Sequence, residues 1–183
     1  MAGKLIVISN RIPSEATPAG GLVFALHETL RKTGGVWIGS HPEPAEAPAD
    51  HLAPYGEQGA YARLAFTLTQ ADYENFYLGF SNSVLWPVCH RRGDLVQLDR
   101  GFEAGYAQVN ARLARQVAEV AEPEDMIWVH DYHFFTMASE LRKLGFAGKI
   151  GFFLHIPFPA LGDMGALPKA ANLPAWLADY DLV

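Results

Sequence analysis

The sequence predicts an α/β fold, Rossmann-like, with a mainly parallel sheet and helices on both faces. Three observations carry that reading. Met126-Ile127-Trp128-Val129 and Ile150-Gly151-Phe152-Phe153-Leu154 are short apolar runs separated by a helical pattern over 134–145 (Phe134, Met137, Ala138, Leu141, Leu144). Run, helix, run is a βαβ unit, and runs apolar on both faces suit a parallel sheet covered on both sides. A similar run, Leu5-Ile6-Val7-Ile8, opens the chain and is followed by another helical pattern and another short run. Finally, His130-Asp131 and His155 fall at the carboxyl ends of the two later runs, where open parallel sheets bind ligands.

In chain order, residues 4–10 form the first strand, which Arg11 and Pro13 end, and 14–18 a polar loop. Gly20-Gly21 lead into a helix marked by Leu22, Leu26 and Leu30 and closed by Gly34-Gly35. A second strand covers 36–39. Residues 41–54, rich in Pro, Ala and Glu, read as a surface excursion. Alternation over 61–68 gives a strand with one covered face, and Thr69 is the N-cap of a helix over 70–80. Residues 103–120 form a helix with Tyr106, Val109, Asn110, Leu113 and Val117 on one side, turned by 122–125 into the strand that starts at Met126. A helical stretch over 175–178 precedes Asp181-Leu182-Val183, which reads as a strand just beginning and so as part of something longer.

Composition bounds the function. The 183 residues are half hydrophobic with a net charge of -6, enough for one sizeable core and wrong in sign for a phosphate-backbone partner. One cysteine, Cys89, excludes an internal disulfide and a cysteine zinc cage and fits a reducing compartment. There is no signal-peptide pattern and no apolar run near the roughly 20 residues of a membrane helix. The expectation is a cytoplasmic protein with neither nucleic acid nor membrane as partner. The sequence allows a homo-oligomer without specifying one.

Four clusters could carry chemistry. Asn10-Arg11 and Gly20-Gly21 lie at one sheet edge; the glycines alone read as a turn, and the arginine makes a phosphate site an equal reading. Tyr77, Phe80, Trp86 and Arg91-Arg92 combine rings and cations in a way that suits a phosphorylated sugar, although Phe76 and Phe80, at helical spacing, read as core. His130-Asp131-Tyr132-His133 lacks metal-pair spacing; Asp131 reads better as an acceptor or base for a sugar hydroxyl. His155 precedes Ile156-Pro157-Phe158-Pro159, whose prolines fix the exit of the strand. No serine triad is present, and Cys89 has no partner base.

Taken in order, Ser9-Asn10-Arg11, Gly20-Gly21-Leu22, Phe80-Ser81-Asn82-Ser83-Val84-Leu85-Trp86-Pro87, Trp128-Val129-His130-Asp131-Tyr132-His133 and Gly151-Phe152-Phe153-Leu154-His155-Ile156-Pro157-Phe158-Pro159 closely resemble the trehalose-6-phosphate synthase family. That resemblance implies the N-terminal half of a retaining, two-domain GT-B glycosyltransferase moving glucose from UDP-glucose to glucose 6-phosphate, with trehalose 6-phosphate and UDP as products. It implies that Arg11, Tyr77, Trp86 and Asp131 serve the acceptor, Gly21 and His155 the donor, and Asp131 and His155 the chemistry. It implies front-face displacement without metal, cofactor or covalent nucleophile. The family's C-terminal nucleotide-sugar domain has no counterpart here, so residues 1–183 are expected to be the acceptor-binding domain of a longer parent and inactive alone. Two other readings stay open: a related transferase with another sugar or polyol phosphate as acceptor, and a non-catalytic sugar-phosphate-binding module.

Overall fold

In the computed structural model, which describes residues 3–13, 21–57 and 59–183, β1 (Leu5–Arg11) lies near the middle of a six-stranded sheet. Its apolar run leaves Ile6, Val7 and Ile8 wholly buried. The order is β3-β4-β2-β1-β5-β6, with β2 (Val36–Ser40), β4 (Ala62–Phe66), β5 (Met126–His130) and β6 (Lys149–Phe153) all parallel to their neighbours. Only β3 (Ala53–Pro54) runs antiparallel, against β4. The excursion over 41–54 therefore returns to the sheet, and a bridge between Ala45 and Thr69 also ties it down.

Side chains alternate across the strands and sort into two cores. Ile6, Ile8, Ile38, Ile127 and Val129 point to the larger, with α4 (Arg100–Val120) and α5 (Met137–Lys143). Val7 and Trp37 point to the smaller, covered by Leu26 and Leu30 of α1 (Gly21–Thr33). Cover on this second face is thin near β6, where Phe153 is half exposed. All five residues expected on one side of the 103–120 helix are buried in α4. Leu182 accepts a backbone hydrogen bond from Phe152, so the expected last strand begins alongside β6. No helix among the described residues is long and apolar enough to cross a membrane.

The 70–80 helix is longer and wider than its sequence suggests. Thr69 caps it as expected, in a reciprocal box with Asp72, which also pairs with Arg112 at 2.7 Å. After α2 (Gln70–Asp72) the chain becomes a π-helix over Tyr73–Leu85 and closes as α3 (Trp86–Cys89). Ser81-Asn82-Ser83 looks like a helix breaker, but the side chains of Asn82 and Ser83 are used within the fold. Asn82 accepts from the Tyr132 hydroxyl at 2.9 Å, and Ser83 Oγ donates to the Leu78 carbonyl five residues back. Phe76 and Phe80 are core, as expected.

Strand β1 carries a bulge where it matters. Ile8 pairs with Ile38, yet Arg11 pairs with Ser40, so β1 holds one residue more than β2 over this span. Ser9 Oγ donates to the Arg11 carbonyl at 2.8 Å, Ser40 Oγ to the Asn10 carbonyl, and Trp37 Nε1 to Ser9 Oγ. Gly39 lets the bulge close, because a Cβ there would sit 2.5 Å from the Ile12 nitrogen and 2.7 Å from the Arg11 carbonyl carbon. Those are backbone atoms that cannot rotate away. Gly39→Ala should therefore cost roughly 1–3 kcal/mol, as overpacking does, read from urea unfolding; an unchanged midpoint would show that the bulge gives way freely.

Candidate functional site

The sheet order reverses between β1 and β5, because the chain leaves β1 toward β2 and β4 on one side and later returns to β5 on the other. A crevice at the carboxyl ends of two such strands is the ligand position of open α/β sheets. Here the crevice is a cavity of about 270 Å³ lined by Ser9, Asn10 and Arg11 from the end of β1 and by His130, Asp131, Tyr132 and His133 from the end of β5. Val23 in the first turn of α1, Trp37 and Tyr77 complete it. A second cavity, of about 380 Å³, shares Asn10, Arg11 and Tyr77 and continues past Ser40, His41 and Tyr73.

The bulge carries Arg11 to the rim, where its guanidinium is exposed and lies 3.5 Å from the Tyr77 hydroxyl. Tyr77 comes from the π-helix, in which residues five apart stack over one another. That spacing brings Tyr77 and Asn82 onto one stripe, with Trp86 a turn further on. Tyr77 stacks on His133 at 5.7 Å with planes 10° apart, and Tyr73 stacks on Tyr77 at 5.2 Å. His133 is buried between Tyr77 and Tyr132, and burial together with the Arg11 charge pulls its pKa down to about 3. It is neutral at physiological pH and leaves the Arg11 charge unopposed by a second cation.

Asp131 has a backbone φ of 74°, in the left-handed region that a non-glycine residue enters at a cost of about 1–3 kcal/mol. Its N–H donates to the Phe153 carbonyl at 2.8 Å, and its carboxylate accepts from the Tyr132 N–H. Burial raises its pKa, opposed by the Tyr132 and His155 backbone N–H groups and by the His155 ring. His155 lies beyond β6, exposed to solvent on one side, with its Nε2 2.9 Å from Nδ1 of His130. Cys89 is buried and its thiol is pushed up to about 12 by desolvation first and by Asp131 second, which leaves it inert.

Of the residues singled out from sequence, Arg11, Tyr77 and Asp131 meet around one cavity, and His155 adjoins it through His130. Gly21 starts α1, where Val23 rather than Gly21 lines the crevice; Gly20 lies outside the described residues. Trp86 lines neither cavity, and its indole stacks on His90 at 4.0 Å. Arg91 and Arg92 are turned to Asp163 and Asp94. Ser9, Trp37, Asn82 and Tyr132 hold the site together; Ser9, Asn82 and Tyr132 lie within the motifs already noted, Trp37 does not, and the parts they play depend on strand register and helix width.

The sequence matches the family model of glycosyltransferase family 20 over residues 7–183. It is 44% identical over 183 residues to the trehalose-6-phosphate synthase of Citrobacter koseri, a match covering 99% of this chain and 38% of that protein. Among solved structures, the UDP-forming alpha,alpha-trehalose-phosphate synthase of Burkholderia vietnamiensis aligns with a TM-score of 0.93 at 42% identity, over 99% of this chain and 39% of that one. The Burkholderia xenovorans protein in complex with glucose-6-phosphate aligns with a TM-score of 0.88 at 40% identity, over 98% and 40%. The chain thus spans about two fifths of the length of these relatives.

Proposed function

This chain belongs to glycosyltransferase family 20, and from that premise we propose that it is the N-terminal, acceptor-binding domain of a UDP-forming trehalose-6-phosphate synthase. In this reading the whole protein moves glucose from UDP-glucose to glucose 6-phosphate with retention, and a C-terminal domain supplies most of the nucleotide pocket. The observation that carries it is the meeting of Arg11, Tyr77 and Asp131 around one cavity at the switch point of the sheet.

Each group has chemistry suited to its part. The planar guanidinium of Arg11 can hold two phosphate oxygens at once, and the Tyr77 hydroxyl beside it can donate a third hydrogen bond. Asp131, held in a fixed backbone conformation, accepts from a sugar hydroxyl. His155, kept mainly neutral by burial, donates to the transferred glucose. The acceptor hydroxyl attacks on the face from which the diphosphate departs, and the departing phosphate takes its proton. The protein's contribution is orientation and charge stabilisation. The single buried cysteine supports a reducing, cytoplasmic setting.

The test is ligand-induced stabilisation of the 183-residue chain. Glucose 6-phosphate at about ten times its Kd should add about 1.4 kcal/mol and raise Tm by roughly 3–5 °C. Glucose and inorganic phosphate, each lacking half the recognition, should give less. A flat Tm across a wide glucose 6-phosphate titration would count against the reading.

A further inference from the structure

The histidine pair beside Asp131 carries an inference that deepens the reading above and rests on it. His130 Nδ1 and His155 Nε2 are 2.9 Å apart, with the rings 21° from coplanar. In such a contact one nitrogen brings the hydrogen and the other a lone pair. The tautomer follows from the far side of His130. That residue is 1% exposed, and its Nε2 is buried with no hydrogen-bond partner among the described residues. Its ring sits by Trp128 at 4.6 Å and Phe153 at 6.4 Å. A buried N–H left without a partner is rarer than a buried acceptor left without one. The hydrogen of His130 therefore belongs on Nδ1, and the bare lone pair of Nε2 faces the rings. His155 must accept at Nε2 and carry its own hydrogen on Nδ1.

We propose that His130 is a positioning residue for the transfer reaction: it donates from Nδ1 to Nε2 of His155 and so fixes His155 in orientation and in the Nδ1–H form, with a single N–H to offer a sugar hydroxyl. Both rings are neutral at physiological pH. Burial first, and the neighbouring His155 second, bring His130 down to about 3; burial also lowers His155, opposed by Asp131. The pair thus shares one hydrogen without a charge, and no proton need leave it during transfer. His130 itself touches no reacting atom in this account. Its role is carried through the ring of His155, as an outer partner holds the ring of a ligating histidine.

The tautomer can be read without any activity. Long-range proton–nitrogen correlation of the chain labelled with nitrogen-15 histidine, at pH 7.5, should show both His130 and His155 protonated at Nδ1, against the Nε2–H form that prevails for free histidine in water. His155 protonated at Nε2 overturns the proposal. In the full-length protein, His130→Phe should lower kcat by about 10-fold and leave the glucose 6-phosphate KM within about 2-fold, the cost of a loosened rather than a missing donor. His130→Asn, which can place an amide N–H near the position of Nδ1, should recover most of the loss. An Asn variant as slow as the Phe variant, or a Phe variant with unchanged kcat, removes the positioning role. If the unsubstituted full-length protein transfers no glucose, the proposed function fails, while the nitrogen spectrum still decides the hydrogen bond.

Discussion

Replacing Arg11 with alanine in the full-length protein should raise the KM for glucose 6-phosphate by about 100-fold while leaving that for UDP-glucose within about 3-fold. A hydrogen bond to a charged group contributes about 1.5–3 kcal/mol, and 1.4 kcal/mol is tenfold in affinity. Two parallel bonds to one phosphate reach the stated range. The folded state should hardly notice the change. The guanidinium is exposed, and its one hydrogen bond among the described residues is a long one, 3.5 Å to the Tyr77 hydroxyl. Arg11→Lys separates charge from geometry: it keeps the cation and loses the fork, so its KM should lie between the two. Initial-rate kinetics with each substrate varied in turn checks all three proteins. An equal rise in both KM values would move Arg11 out of the acceptor site.

Why that arginine could be picked out of the sequence, while the device that aims it could not, is a matter of physical range. Ile6, Val7 and Ile8 announce a doubly buried strand because the two cores of the sheet act on each residue locally. The residue after such a strand then lies at a carboxyl edge. The five α4 residues read from the sequence as one buried side are legible for the same reason. The bulge is different: it depends on which residue of β2 faces Arg11, a fact of pairing across 29 positions (Arg11 to Ser40) that leaves no periodic trace. The width of the π-helix was hidden likewise, because its i→i+5 bonds reward the tertiary placement of Tyr77 and Asn82 rather than any local propensity. His130 read as one letter of a motif until β5 and β6 set it beside His155. Trp86 is a different case. Its motif is recognisable, but in this chain the indole packs on its own helix neighbour His90 and lines neither cavity.

The same buried histidines should make the fold acid-labile well above the range where carboxylates titrate. His130 and His133 are both held near 3, against 6.5 for an exposed imidazole, by burial first and then by His155 and Arg11 respectively. Each folded value lies below the unfolded one, so between pH 6.5 and 3 the unfolded chain binds more protons than the folded one. Their contribution is whole above about 6.5 and is lost as pH falls. Taking 1.36 kcal/mol per unit, each costs about 2 kcal/mol by pH 5, or about 4 kcal/mol together. That is a large share of the 5–15 kcal/mol typical of a domain. His155, also lowered, acts in the same direction, whereas Asp131, raised by burial, acts against it. Asp125 and Asp181 are lowered from 3.8, so their contribution is whole at pH 5.0 and is lost only as pH falls below about 3.8. Urea unfolding at pH 7.5 and pH 5.0 measures the slope. His133→Phe keeps a ring between Tyr77 and Tyr132 but removes the proton site, so the pH dependence should fall by about half whatever the variant's stability at pH 7.5. Equal slopes in the two proteins would mean that protons reach His133 in the folded state, and that the cavity beneath Arg11 tolerates a second positive charge.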